Sequence, residues 1–364
     1  MKRTSIILAL ALVIALLTGC AGTPVVYYSD CTCPTGAHTE TTPVETTAPV
    51  ETTEPAPVVE GAVKTGVAIV ASALESKSAG DADGEAKYDV SVVAVTVDDN
   101  GVIQSCIIDS IGTSVLFDVN GAIVSDLTAE IPTKNELGDA YKMKLYGGAV
   151  AEWYEQAAAL ASFACGKTVE ELRAGAVDET GHAVDADLAT TATIYLGGYV
   201  SAIENAVFNA QHLGAQAGDE LKLAISSSVD GSKNADAENA GLCELYTTAV
   251  ALTMKDGVIT SAQIDAVQGK VNFDVTGTIT GGTDGIFATK NMLGEQYGMK
   301  AWGGAIAEWN EQAASFAAYI TGKTADEVAG IAVDESTKPT DADLLTSVTI
   351  KIGDFQALIA KACG

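Results

Sequence analysis

Residues 133–161, TKNELGDAYKMKLYGGAVAEWYEQAAALA, return as residues 289–317, TKNMLGEQYGMKAWGGAIAEWNEQAASFA. The two stretches share 19 identities in 29 ungapped positions and stand 156 residues apart. The same spacing relates Asp185-Ala186-Asp187-Leu188 to Asp341-Ala342-Asp343-Leu344. Chance does not produce this, so the chain carries a tandem duplication of one domain of about 150 residues, an ordinary domain size. The boundaries read 63–212 for the first repeat and 213–364 for the second. Positions kept in both copies report what the domain needs.

Apolar residues at Val150, Trp153, Ala157, Leu160 and Ala164 step by three and four, as do Ile306, Trp309, Ala313, Phe316 and Ile320. This spacing predicts one buried helical stripe per repeat. Gly166 and Gly322 stand where a left-handed cap ends a helix. Thr168 with Glu171, and Thr324 with Glu327, read as capping boxes that start a second, short helix. A last stripe, Leu196, Tyr199, Ile203 and Val207, matches Ile352, Phe355, Ile359 and Cys363. It predicts a C-terminal helix, although Val348–Ile352 reads equally well as a strand.

Before the helices each copy is β-like. Gly66–Ala73, Val90–Val97 and Val102–Ile108 lead in the first repeat, Thr247–Met254 and Val258–Ile264 in the second. Asp98-Asp99-Asn100-Gly101 and Lys255-Asp256-Gly257 separate apolar runs and predict hairpins. Further hairpins are expected around Asp118–Gly121 and Asp274–Gly277. The fold class is α+β: two tandem homologous domains, each an antiparallel sheet with helices packed on one side.

The N-terminus carries Lys2-Arg3, an apolar run from Ile6 to Leu17, and then Leu17-Thr18-Gly19-Cys20. The run is short for a bilayer span. The pattern is that of a bacterial lipoprotein signal, residues 1–19, with Cys20 as the lipidated residue. Acyl chains there hold a protein stably on a membrane; an uncleaved anchor helix is the other reading. Residues 20–62 include a Thr/Pro/Glu repeat that cannot bury a core and reads as a stalk. Cys31 and Cys33 lie in it as a local disulfide or free thiols. The expected location is the extracytoplasmic face of a cell membrane, in a Gram-positive envelope.

Net charge is −28, and −30 once residues 1–19 are removed. A field of this sign is unsuited to nucleic acid or anionic lipid and suits solubility outside the cell. The remaining cysteines are not duplicated: Cys106 matches Ala262, Cys165 matches Thr321, and Cys363 matches Val207. A disulfide framework would have been copied with the domain, so most of these read as isolated buried thiols.

Gly166-Lys167-Thr168 and Gly322-Lys323-Thr324 lack the earlier glycine of a phosphate-binding loop, positions 161 and 317 being Ala. His38, His182 and His212 are not repeated, which removes a shared His-based metal site or nucleophile. Asp185/Asp187 and Asp341/Asp343 are paired carboxylates that could bind a cation or ligand hydroxyls, or cap the following helix. No catalytic constellation emerges. Lys144 and Lys300 precede Gly147-Gly148 and Gly303-Gly304. A lysine beside a glycine turn at a helix start suits a phosphate, and Tyr146 or Trp302 could stack on a planar ring. Core packing around a glycine turn is the alternative.

The order of these segments resembles the FMN-binding domain of bacterial extracytoplasmic flavoproteins, a family that includes subunits of sodium-pumping quinone reductases and flavin lipoproteins of Gram-positive surfaces. The resemblance lies in Asp256-Gly257, Ile264-Asp265-Ala266, Tyr297-Gly298-Met299-Lys300, and the stretches 185–193 and 341–349. These last resemble the family's closing Asp-x-x-Ser-Gly-Ala-Thr-x-Ser motif, whose Thr takes FMN through a phosphoester. The resemblance implies Thr191 and Ser347 as the matching hydroxyls. The Ser-Gly-Ala of the motif is here Leu188-Ala189-Thr190 or Leu344-Leu345-Thr346. The implied function is a surface electron carrier with FMN as cofactor and an unknown redox partner. The alternative is a non-catalytic surface lipoprotein that binds another small molecule or an envelope component.

Overall fold

Strands β1 (Lys64–Ser72), β2 (Gly84–Val97) and β3 (Ile103–Phe117) open the first repeat. Short helices α1 (Lys134–Leu137) and α2 (Met143–Gly147) follow, then α3 (Trp153–Ala164), α4 (Val169–Ala176), α5 (Ala186–Thr191) and α6 (Gly197–Phe208). The second repeat has β4 (Glu220–Ser228), β5 (Gly241–Lys255), β6 (Val258–Phe273), β7 (Ile279–Gly281) and β8 (Ile286–Phe287). Its helices are α7 (Lys290–Leu293), α8 (Met299–Gly303), α9 (Trp309–Ile320), α10 (Ala325–Ala329) and α11 (Gly353–Cys363). These elements come from a computed structural model that describes residues 61–364. The leader, Cys20, Cys31, Cys33 and nearly all of the stalk lie outside the described residues. Among the described residues no helix is long and apolar enough to cross a membrane.

Two antiparallel four-stranded sheets result, ordered β3-β2-β1-β8 and β4-β5-β6-β7. The long hairpins β2–β3 and β5–β6 close at the expected turns. Asp256 (φ 51°) and Gly257 (φ 81°) are both left-handed, the geometry that matches strand twist in a two-residue hairpin. Helices cover one face of each sheet. Val93, Val95 and Ile108 meet Trp153, Leu160 and Ile203 in the first repeat; Val250, Leu252 and Ile264 meet Trp309, Phe316 and Ile359 in the second.

The opposite faces pack on each other. Tyr88, Val90, Val92, Ile111 and Phe117 form a central core with Leu245, Ala249, Ala251, Val267 and Phe273. Phe117 and Phe273 stack there, centroids 4.2 Å apart and 11° from parallel. The Tyr88 hydroxyl donates to Cys243 O (2.7 Å). The layers run helix, sheet, sheet, helix. From Val92 to Val97 on β2 and from Thr247 to Thr253 on β5 every residue is buried, so both faces are covered there. Glu85, Lys87, Asp89 and Ser91, by contrast, alternate with buried residues along the first half of β2.

The repeats also exchange structure at their edges. β8 pairs with β1 through Ala71 and Ser72, so the second repeat supplies the fourth strand of the first sheet. The Val67 N–H donates to Gln263 Oε1 (2.6 Å), and the Thr65 and Ser261 hydroxyls bond each other (2.6 Å).

The expected caps form. Gly166 (φ 80°) and Gly322 (φ 86°) are left-handed, and both Thr/Glu capping boxes are closed. Two expectations change. Val150 and Ile306 are 57% and 52% exposed because the capping boxes Glu152/Glu155 and Glu308/Glu311 start the helices at Trp153 and Trp309. Val348–Ile352 is not a strand; its Thr349 N–H is held by the Gln312 side chain, and α11 begins at Gly353.

Candidate functional site

Both repeats build the same scaffold at the start of the Trp-bearing helix. Glu308 accepts hydrogen bonds from the main-chain N–H groups of Met299 (2.8 Å) and Lys300 (3.1 Å), while its own N–H donates to Glu311 (2.7 Å). Glu152 does the same with Met143 (2.7 Å), Lys144 (3.2 Å) and Glu155 (2.8 Å). One turn further along, fully buried Gln312 donates to Ala307 O (2.8 Å) and accepts from the Thr349 N–H (2.7 Å). Gln156 makes the matching bonds to Ala151 O and the Thr193 N–H, each 2.8 Å. A carboxylate and an amide thus hold the glycine turn and the Asp-Ala-Asp loop against one helix end. Sequence reasoning passed over these four residues; their readable signal was a polar pair kept in both copies inside an apolar stripe.

Each sequence-predicted residue has a definite place. Lys144 and Lys300 are exposed on α2 and α8, and Lys300 Nζ lies 4.0 Å from a Glu311 carboxylate oxygen. Gly147 and Gly303 are exposed, and neither has backbone or φ reasons to be glycine. A Cβ at Gly147 would meet only Met143 Cγ at 3.7 Å, and one at Gly303 would meet nothing within 4 Å. Asp185 and Asp341 are caps: Oδ1 of Asp185 accepts from the N–H groups of Asp187 and Leu188, and that of Asp341 from Asp343 and Leu344, all within 3.0–3.1 Å. Asp187 and Asp343 are exposed beside them. Thr191 donates to the carbonyls of Leu188 (3.1 Å) and Asp187 (3.3 Å), and Ser347 to that of Leu344 (3.4 Å). Tyr146 and Trp302 are 79% and 89% exposed. Among the described residues no group of three or more His, Cys, Asp or Glu is placed to hold a metal ion.

The Thr-Lys-Asn motif has its own work. Thr289 caps α7, Asn291 Nδ2 donates to Ile264 O (2.9 Å), and the Asn291 N–H reaches buried Asp265 (3.1 Å). Lys290 is buried over the rings of Tyr246 (4.5 Å), Tyr297 (4.8 Å) and Trp309 (4.8 Å), and Nζ donates to the Tyr246 hydroxyl (2.7 Å). Burial lowers the Lys290 ammonium to about 8 and raises the Asp265 carboxyl to about 6.

Beside this helix end, mostly on the second repeat and bordered by Phe208, Asn209, Gln211 and His212 of the first, lies a cleft of about 760 Å³. Its floor is small residues, Ala262, Ala314, Ala317 and Ala318, and Phe208 and Met292 stand at it 89% and 69% exposed. Asn310 lines the cleft, and its Oδ1 is buried with no hydrogen-bond partner. Glu311, the neighbour of Lys300, also lines it. The volume is that of a small-molecule site, and an orphaned acceptor in such a place asks for a donor. No family model matches this chain, and neither the curated proteins nor the solved structures give a match.

Proposed function

We propose that the chain is a lipid-anchored extracytoplasmic lipoprotein that binds a flavin mononucleotide-type ligand in the second-repeat cleft and carries electrons at the cell surface. The observation that carries this is the unpartnered Asn310 Oδ1 in an alanine-floored cleft whose rim leads through Glu311 to Lys300. Small side chains leave room for a planar ring, Asn310 would accept from a ring N–H, and Lys300, 4.0 Å from the lining residue Glu311, would face an anionic tail. The bound flavin would supply one- and two-electron chemistry; the protein binds, orients and shields it.

Covalent attachment is not part of the proposal. The Thr191 and Ser347 hydroxyls are spent on carbonyls at the C-terminal end of a short helical turn, and a carbonyl-rich end repels a phosphoester. Alanine at both positions should therefore leave flavin binding unchanged. Protein prepared from its native envelope should be yellow, or should bind added FMN by calorimetry. Ala314→Trp, at an exposed floor position, and Asn310→Ala should each weaken that binding at least tenfold. A colourless protein that gives no heat with FMN would sink the reading.

A net charge of −30 for the mature chain opposes a phosphate dianion, which favours an uncharged planar ligand in the same cleft as the second reading. On that reading the protein is a non-catalytic binding lipoprotein. Thermal-shift comparison of flavins, quinones, haem and peptidoglycan fragments separates the two.

A further inference from the structure

The first repeat has two thiols where the second has its cleft. Cys106 and Cys165 match Ala262 and Thr321, and those two residues line one cavity. The backbone that brings the positions together is the same in both copies. Gly166 N–H donates to Ile103 O (2.8 Å) and Ile103 N–H to Lys167 O (3.0 Å); Gly322 and Ile259 repeat the first bond (2.8 Å), Ile259 and Lys323 the second (2.9 Å). These bonds pin the end of the Trp-bearing helix to the start of an outer strand. Cys106 packs on the helix side of β3, among the residues around Trp153 and Leu160. Cys165 follows the last turn of α3, with Sγ 3.3 Å from Ala161 O. Both thiols are free in this structure, and the Cys106 main chain lies near enough to the Cys165 thiol to favour its thiolate. β3 is the edge of its sheet, so no further strand intervenes.

We propose that Cys106 and Cys165 form a disulfide that staples the end of α3 to the edge strand. Both cysteines occur in one copy and neither in the other, as a functional pair would and two unrelated core thiols need not. The geometry a disulfide requires is short and specific, and the paired backbone bonds between the end of α3 and the start of β3 bring the two segments together. The proposal does not depend on the flavin reading.

The oxidant is a protein or small-molecule disulfide of the extracytoplasmic space. The Cys165 thiolate attacks one sulfur of that disulfide and expels the first donor thiolate. The Cys106 thiolate then attacks the Cys165 sulfur of the mixed disulfide and expels the second. The pair loses two electrons and two protons, and the donor becomes two thiols. Cys165 goes first: burial raises both thiols, but the Cys106 main-chain N–H and, to a lesser degree, Lys167 draw Cys165 back down.

The test uses the mature lipoprotein, unfolded without reductant, alkylated with iodoacetamide, then reduced and labelled with N-ethylmaleimide. Mass spectrometry should find the second label on Cys106 and Cys165 and the first on Cys243. A linked peptide joining 106 to 165 should vanish on reduction. Cys165→Ser should move Cys106 to the first label. The double variant C106A/C165T, which carries the second repeat's own residues, should fold and lose the linked peptide. Iodoacetamide on both thiols after exposure to oxidised glutathione, or either one linked to a different cysteine, overturns the proposal.

Discussion

The two repeats hold the same lysine in unlike surroundings. Lys290 is 4% exposed, stands among three aromatic rings and bonds a tyrosine hydroxyl. Lys134 is half-buried and stands over two, Tyr141 (5.3 Å) and Trp153 (5.1 Å). The third ring is missing because Asp89 occupies the strand position of Tyr246: Asp89 pairs with Gly112, and Tyr246 with Gln268. One residue on a neighbouring strand therefore decides whether the ammonium is stripped of water or keeps it. The second repeat has the dry lysine and an open cleft, the first a wetter lysine and a pair of thiols. Duplication kept the frame, and the two interiors diverged on it.

The largest test of that comparison asks whether the frames are separable at all. Phe273→Ala removes one partner of the central stack and should destabilise the protein by about 3–5 kcal/mol. Because the core is shared, urea should still unfold both repeats in a single transition; two resolved transitions would mean the sheets do not depend on each other.

The burial of Lys290 can be tested by pH. The folded pKa of Lys290 lies near 8, below its ordinary 10.5. Between these values the unfolded chain binds the proton and the native one does not, so stability rises with pH across the window. The rise should be on the order of 3 kcal/mol at most. Lys290→Met should flatten it. Asp265 acts in the opposite direction. Its folded pKa is raised from 3.8 to about 6, so the stability it adds is full below about 3.8 and is lost as pH rises through about 6. Chemical denaturation at a series of pH values measures both slopes.

Gln156→Leu and Gln312→Leu leave buried N–H and C=O groups unpaired in their respective repeats. Each should lower stability by about 1–3 kcal/mol, and equal losses would show that the anchoring is common to both copies. The smallest effect belongs to the turn aromatics. Tyr146→Ala and Trp302→Ala remove exposed rings and should change stability by no more than about 0.5 kcal/mol; a larger thermal shift in either would place that ring in a packed interface.

Much of the frame could be read locally. Asp256-Gly257, the Thr/Glu capping boxes and the step of Trp309, Ala313, Phe316 and Ile320 each carry their structure within a few residues. The candidate site was legible in part. The conserved lysines and glycines do flank the helix start, but Asp185 and Asp341 are caps, and the hydroxyls at 191 and 347 are turned to carbonyls. The correspondence of Asp89 with Tyr246 was hidden for a simple reason. The hairpin Lys255-Asp256-Gly257 is one residue shorter than Asp98-Asp99-Asn100-Gly101, so equivalent positions on β2 and β5 lie 157 residues apart.

The sequence by itself determined the duplication, the strands-before-helices order of each repeat, and local signals such as the left-handed Gly166 and Gly322, the Asp256-Gly257 turn and the Thr/Glu capping boxes. Those features depend on backbone preferences and on side chains within one or two turns. Only the tertiary structure decided that the second face of each sheet packs on the other, that β8 crosses to β1, and that a cleft opens along α9. Each of these joins residues far apart in the chain, where apolar burial rewards contact without regard to sequence distance, and so leaves no local pattern to read.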